Sequence, residues 1–246
     1  MNADNHVHGD LKIASSILEW EIGDIWGHVG VRTADSRITV KLFRTPEVEG
    51  EEDWIIDFDY SLNKLSGVGI IPNEAVIYTE IFKARPDVNA ITHAHAPMCI
   101  ALSMANKQIA TVHLQSKKFA GGIPVFPKPI FILDDEEGKD LAKALGNSVA
   151  VVIRGHGIVT VGRTIKEACM TALYLERTAK IQAVAQTLGF EKVDQNFIDQ
   201  VNVSTNKLAS TKLSRDKTAV TGGYDAEWSY YKRKVLRGEY WSRGWV

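Results

Sequence analysis

The stretch "SVAVVIRGHGIVTVG", residues 148–162, limits the fold more than any other part of the chain. Two β-branched runs flank Arg-Gly-His-Gly, which reads as a pair of strands interrupted by a glycine-bounded histidine. Further strands are expected in "WGHVGVRT", "ITVKLFR", "DWIIDFD", "NAITHAHA", "ATVHL" and "IPVF". Helical spacing marks "GDLKIASSILEW", with Leu11, Ala14, Ile17 and Leu18 on one face, and "EAVIYTEIFKARPDV", entered through Pro72 and Asn73. Helices are also expected from Pro97, over "EEGKDLAKALG", and from a capping box of Thr164 and Glu167 to near Gly189. Strands and helices do not alternate regularly. The pattern favours a layered fold of mixed α and β with an antiparallel sheet over a Rossmann arrangement.

Composition narrows the class. The 246 residues are 45% hydrophobic and 24% charged with a formal net charge of -1, the balance of a soluble globular protein and not of a nucleic-acid binder. No linker rich in Pro, Gly or Ser divides the chain, so residues 1–246 are read as one domain. The start has no basic patch leading into an apolar core, and no run approaches the ~20 apolar residues of a membrane span, so a cytoplasmic location off the membrane is expected. Cys99 and Cys169 lie in apolar helical patterns and are expected as buried free thiols. From about residue 200 to 223 the chain is polar and reads as a long mobile loop. The aromatic-rich segment after it reads as a helix packed on the body or on a neighbouring subunit. The alternative is a lid, with Tyr224, Tyr230 and Tyr231 closing a neighbouring site.

The chemistry begins at "THAHAP". In a strand, residues two apart share a face, so His93 and His95 point the same way and can share a metal ion. Candidates for further ligands are His6 and His8 in a frayed terminus, His28 in a glycine-flanked loop, His113 in a strand, and His156 between two glycines. His156 is the best third ligand, because flanking glycines let the backbone turn sharply and leave the imidazole unobstructed. Glu74, in the first turn of its helix, could complete the metal shell or act as a base beside it. On residue type alone it is better read as a solvated first-turn acid favoured by the helix dipole. Ser116, Lys117 and Lys118 form a small basic spot best read as solvated surface, and His113 is read as structural.

These residues resemble the class II aldolase/adducin family. "PNEAVIYTEIFKARPDVNAITHAHAP" is similar to the family segment in which a Glu is followed by Arg-Pro-Asp-Val, a strand and a His-X-His pair. "RGHGIVTVG" with "ACMTALYLERTAKIQ" resembles the region of its third histidine, and the likeness runs over about residues 10–189. The resemblance implies an α/β fold in layers, α/β/α, with a central antiparallel β-sheet flanked by helices, and a divalent metal held by His93, His95 and His156, with Glu74 as ligand or acid/base. It also implies a homotetramer with sites near subunit boundaries.

Within the family, the sugar-phosphate aldolases bind phosphate through motifs that this chain lacks. "GHVGVR" has His28 where they have Asn and Gly30 where they have Ser, and Pro72-Asn73 precedes Glu74 in place of hydroxyls. The overall pattern is more similar to the branch of metal-dependent decarboxylases of hydroxylated aromatic or heteroaromatic acids, although Gly30 departs from the Ser usual there too. The implied function is decarboxylation of a small-molecule carboxylate through a metal-stabilised enolate, with Glu74 protonating the carbon. His28 or Arg154 would orient a second carboxylate, an ion pair within the fold being the other reading of Arg154. Decarboxylase relatives suggest Mn2+ or Mg2+ and aldolase relatives Zn2+, while Fe2+ and Co2+ suit the same donors. The competing readings are an aldolase acting on an unphosphorylated hydroxy-keto acid, a mononuclear iron oxygenase, and a non-catalytic adducin-like interaction module, which predicts broken ligands.

Overall fold

The computed structural model describes residues 3–33, 36–43, 54–190, 194–210 and 224–239. Eight strands form one sheet: β1 His28–Thr33, β2 Arg37–Leu42, β3 Ile55–Asp59, β4 Lys64–Gly67, β5 Ala90–Ala94, β6 Val125–Phe126, β7 Ala150–Ile153 and β8 Gly157–Gly162. Their order is β4-β3-β2-β1-β5-β8-β7-β6. All neighbours are antiparallel except β6 and β7, so the sheet is mixed, with one parallel pair at its edge.

Helices cover both faces. On one face, α1 (Ala3–Ile22), α3 (Pro97–Met104), α5 (Ile165–Thr187) and α7 (Tyr224–Leu236) share a core with Val29, Ala90, Val152 and Ile158. On the other, α2 (Val76–Ala84) and α4 (Asp135–Leu145) pack on Ile38, Val40, Ile91, Val151, Val159 and Val161. Successive residues of β7 and β8 therefore feed opposite cores, which is why both strands are apolar at nearly every position. The layered α/β/α architecture expected from the sequence is the one observed.

Local expectations fare unevenly. Leu11, Ala14, Ile17 and Leu18 are fully buried on α1 as their spacing requires, but that helix also takes in His6 and His8, so neither lies in a frayed end. "ATVHL" forms no strand. The Ser116 hydroxyl accepts from the amides of Val112 and His113, both at 3.1 Å, and draws the chain into a 3₁₀ helix, Leu114–Phe119. Residues read as a polar loop begin instead with α6 (Gln195–Ser210). Asp194 accepts from the amide of Phe197 at 2.7 Å, and buried Val201 with half-buried Ile198 and Thr205 gives the helix a narrow inner stripe. The rest of that segment, 211–223, lies outside the described residues. On α5, Thr164 accepts from the amide of Glu167 at 3.1 Å, but the Glu167 carboxylate binds the amide of Arg163, so only half of the capping box forms.

Candidate metal centre

His93 stands on β5, opposite Val159 of β8 and opposite His28 of β1. His95 follows one residue past the strand's end, and the two rings lie on the same side with centroids 4.9 Å apart. His156 occupies the tight turn between β7 and β8. Its amide donates to Ile153 O at 3.0 Å, and Gly155 takes φ +69°, a left-handed conformation that a side chain disfavours. The ring sits 5.1 Å from His93 and 5.2 Å from His95. Glu74 lies in the turn just before α2 and not in its first helical turn, and its side chain is turned inward and buried. One ligand atom from each of Glu74, His93, His95 and His156 lies within 4.8 Å of all the others.

Proton placement in this cluster follows from what stands behind each ring. The Nδ1 of His93 is 3.0 Å from Ile158 O, and that of His156 is 2.9 Å from Ile130 O. Carbonyl oxygens only accept, so both Nδ1 atoms carry the proton and both Nε2 atoms present lone pairs. The Nδ1 of His95 faces both oxygens of Asp24 at 3.1 and 3.2 Å, with the same result. Glu74 Oε1 accepts from the amide of Ile132 at 2.9 Å, which leaves Oε2 3.4 Å from His93 Nε2 and 3.5 Å from His156 Nε2. Those two nitrogens are buried without a hydrogen-bond partner. Four lone-pair donors converging on one point repel unless a cation lies among them, and three imidazoles with a carboxylate form a donor set that suits a divalent metal.

Burial works to raise the pKa of Glu74, while a proton on either facing imidazole, His156 or His93, and the amide of Ile132 hold the carboxyl well below its usual range; a cation at the same point would take the place of that proton. Burial likewise works against Asp24, yet bonds from the ring and amide of His95 bring it down to about 2. Burial drives His28 down to about 3, with the neighbouring His93 adding to the effect, so His28 is neutral.

A cleft of about 750 Å³ opens onto this centre. Its walls combine His28, Glu74, His95 and His156 with the apolar Trp26, Leu42, Ile70, Phe131 and Leu133. His28 is thus on the cleft, at the start of β1 and not in a loop. Arg154 is not: its amide is bonded to Phe126 O on β6, and it does not line the cleft. His113 is not among the four clustered residues, and its ring bonds Thr178 and Gln115. The basic spot is only partly surface: Ser116 is buried and Lys118, half-buried, donates to Thr171 at 2.7 Å, while Lys117 bonds Asn206 at 3.0 Å on the exposed side. In the aromatic segment Trp228 and Tyr231 are buried and α7 packs against α1 and α5, the packing reading of that helix. Asp24 and Tyr78 went unnoticed in the sequence, and both act on residues at least 50 positions away.

A mixed sheet layered between helices, with a three-histidine, one-carboxylate cluster opening into a cleft, is an arrangement of the class II aldolase-like fold, with a donor set that could hold a metal ion. The chain belongs to the class II aldolase and adducin N-terminal domain family, whose model matches residues 20–183. It is 26% identical over 179 residues to a 3,4-dihydroxyphthalate decarboxylase of Arthrobacter keyseri, covering 67% of this chain and 72% of that one. Among solved structures it superposes on an aldolase II superfamily protein from Pseudomonas syringae with a TM-score of 0.76 at 22% identity, over 96% of this chain and 94% of the other. The L-fuculose 1-phosphate aldolase of Glaciozyma antarctica gives 0.72 at 23% identity, over 97% and 92%. These relatives thus include a decarboxylase and an aldolase, both carbon–carbon lyases. Among the described residues no helix is long and apolar enough to cross a membrane.

Proposed function

We propose that the protein is a metal-dependent decarboxylase of a hydroxylated aromatic or heteroaromatic carboxylic acid. In this reading His93, His95 and His156 hold one divalent ion, Mn2+ or Zn2+ before the alternatives, and Glu74 is the fourth donor or the acid/base. The observation that carries it is the convergence of three bare Nε2 atoms and a carboxylate oxygen on the floor of a cleft. A cation bound there supplies an electrophile for the oxygen substituents of the substrate, worth several kcal/mol. Trp26, Ile70, Phe131 and Leu133 offer flat apolar walls suited to a ring and less suited to a polyhydroxylated chain. The likeness to a 3,4-dihydroxyphthalate decarboxylase supports the same choice.

The bond between ring carbon and carboxylate breaks with its electron pair kept by the ring, carbon dioxide leaves, and a proton takes its place. A water beside Glu74 supplies that proton, with Glu74 orienting it toward the ring carbon, and the hydroxide left behind takes up the carbon dioxide as bicarbonate. His28, neutral and on the cleft wall, contacts the oxygen-bearing edge of the substrate. Exposed Trp26, Ile70 and Phe131 at the rim support association into the family's homotetramer, which burial by a second subunit would satisfy.

Elemental analysis of the purified protein beside His93→Ala and His156→Ala tests the centre. About one transition metal per chain, lost in both variants, is expected. Hydroxylated aromatic carboxylates are then screened for carbon dioxide release, and an aldehyde product without carbon dioxide would move the assignment to an aldolase using the same residues. No metal after reconstitution with manganese, zinc and iron would overturn the reading in favour of a non-catalytic module.

A further inference from the structure

Four imidazoles meet around this cleft, and three of them have an acceptor behind Nδ1. His28 is the exception. Its Nδ1 lies 2.8 Å from the hydroxyl of Tyr78, which is fully buried on α2 and packed on Phe58 and Phe82. The phenol has no other hydrogen-bond partner among the described residues. If it accepted from His28, its own proton would be buried with nothing to receive it; if it donates, both groups are satisfied. Donation fixes Nδ1 as the bare nitrogen and puts the His28 proton on Nε2.

The sequence provides for this ring in an unexpected place. A Cβ added at Gly30 would stand 2.5 Å from Tyr78 Cε1 and 2.6 Å from Val40 Cγ2, so no side chain fits at position 30 while the tyrosine occupies its place. Gly30, where the resembled branch has Ser, is the vacancy that admits Tyr78. His28 and Gly30 sit two apart on β1 and so face the same side, toward α2.

We propose that Tyr78 is a positioning residue that holds His28 in its Nε2–H form, so that His28 serves as a neutral hydrogen-bond donor to a substrate oxygen and not as a fourth imidazole ligand. A donor behind the ring yields a donor in front; an acceptor behind it yields a lone pair in front. The same rule divides the four histidines into one substrate contact and three metal ligands. The role in substrate binding rests on the function proposed above; the tautomer does not.

Long-range nitrogen–proton NMR of the histidine rings tests it on the metal-free and the zinc-loaded full chain, with the His28 resonances assigned by their loss in His28→Gln. The wild-type spectrum should show His28 protonated at Nε2 and bare at Nδ1. Tyr78→Phe, which keeps the ring, should move its proton wholly or partly to Nδ1 while His93, His95 and His156 keep theirs. A wild-type His28 protonated at Nδ1 overturns the proposal without any variant, and an unchanged tautomer in Tyr78→Phe overturns the role of the phenol. On a substrate whose carbon dioxide release has established the reaction, Tyr78→Phe should raise KM about tenfold with metal content unchanged and kcat falling less. An unchanged KM would remove the substrate contact. Absence of any carbon dioxide release would instead sink the decarboxylase reading and leave the spectra to decide the tautomer by themselves.

Discussion

Asp24→Asn is a change of one atom that should weaken metal binding without removing a ligand. Asp24 sits in the link between α1 and β1, where its carboxylate serves three N–H groups: the amide of Trp26 at 2.9 Å, the amide of His95 at 2.7 Å and the ring Nδ1 of His95 at 3.1 Å. Asparagine keeps one oxygen and replaces the other with an NH2 group, which cannot accept. In either orientation one backbone amide, that of Trp26 or of His95, loses its acceptor, and the NH2 stands near His95 Nδ1, where it favours the tautomer whose proton blocks Nε2. Hydrogen bonds to a charged group are worth about 1.5–3 kcal/mol, and loss of such an outer partner typically lowers metal affinity about 10- to 100-fold, or about 1.4–2.8 kcal/mol. The assay is competition for zinc against a chelator of known affinity, with His113→Ala as a control for loss of an imidazole outside the centre. Thermal melting of the metal-free forms checks that Asp24→Asn remains folded. Affinity equal to wild type in a folded Asp24→Asn protein would refute the claim that Asp24 sets the state of His95.

Two further outcomes follow from the fold. Thr164→Ala removes the acceptor for the amide of Glu167 and should cost about 1 kcal/mol, read as a lower urea midpoint at unchanged slope; an unchanged midpoint would mean that the cap contributes nothing. Cys99 and Cys169 are fully buried, and burial pushes both thiols up, so at pH 8 they stay protonated as well as shielded. A thiol reagent should find neither in the native protein and both after unfolding in guanidinium, and rapid reaction of either one in the native state would contradict the packing of α3 or α5.

What could be read in the sequence was what local periodicity encodes. His93 and His95 share a face because strands have a period of two, and His156 is found by the glycines that its turn requires. The apolar faces of α1, α2 and α4 were likewise plain. Asp24 escaped because its partner lies 71 positions on, and nothing near Gly23 distinguishes a loop acid that orients a ligand from one that faces water. Tyr78 escaped because nothing along its helix distinguishes a tyrosine that only packs in the core from one whose hydroxyl also meets a ring 50 positions away. Arg154 drew attention by standing beside His156, but adjacency along a tight turn does not bring two side chains to one cavity. The strand expected at "ATVHL" failed because a single serine hydroxyl takes the two amides that a ladder would have used. The helical start of the polar tail was hidden because its inner stripe is so thin that composition outweighs it.

The site and the sheet register are one specification. β1, β5 and β8 are adjacent, and β5 runs antiparallel to both neighbours, so the end of β5, the beginning of β1 and the turn into β8 meet at the same edge of the sheet. That is where His93 and His95, His28, and His156 stand. Pairing of His28 with His93 and of Ala94 with Ile158 sets which rings face α2, and a slip of one residue would turn a whole strand's side chains to the other face. Such a slip in β1 would carry His28 away from Tyr78 and set Val29, now buried beneath α1, toward the cleft. The two helical layers oppose this, because β5, β7 and β8 are buried at every position and a slip would exchange the residues of both faces at once. The long apolar runs of β7 and β8 and the positions of the histidines therefore answer the same requirement: the chemistry depends on placing the rings by register, and register is held where both faces of the sheet are buried.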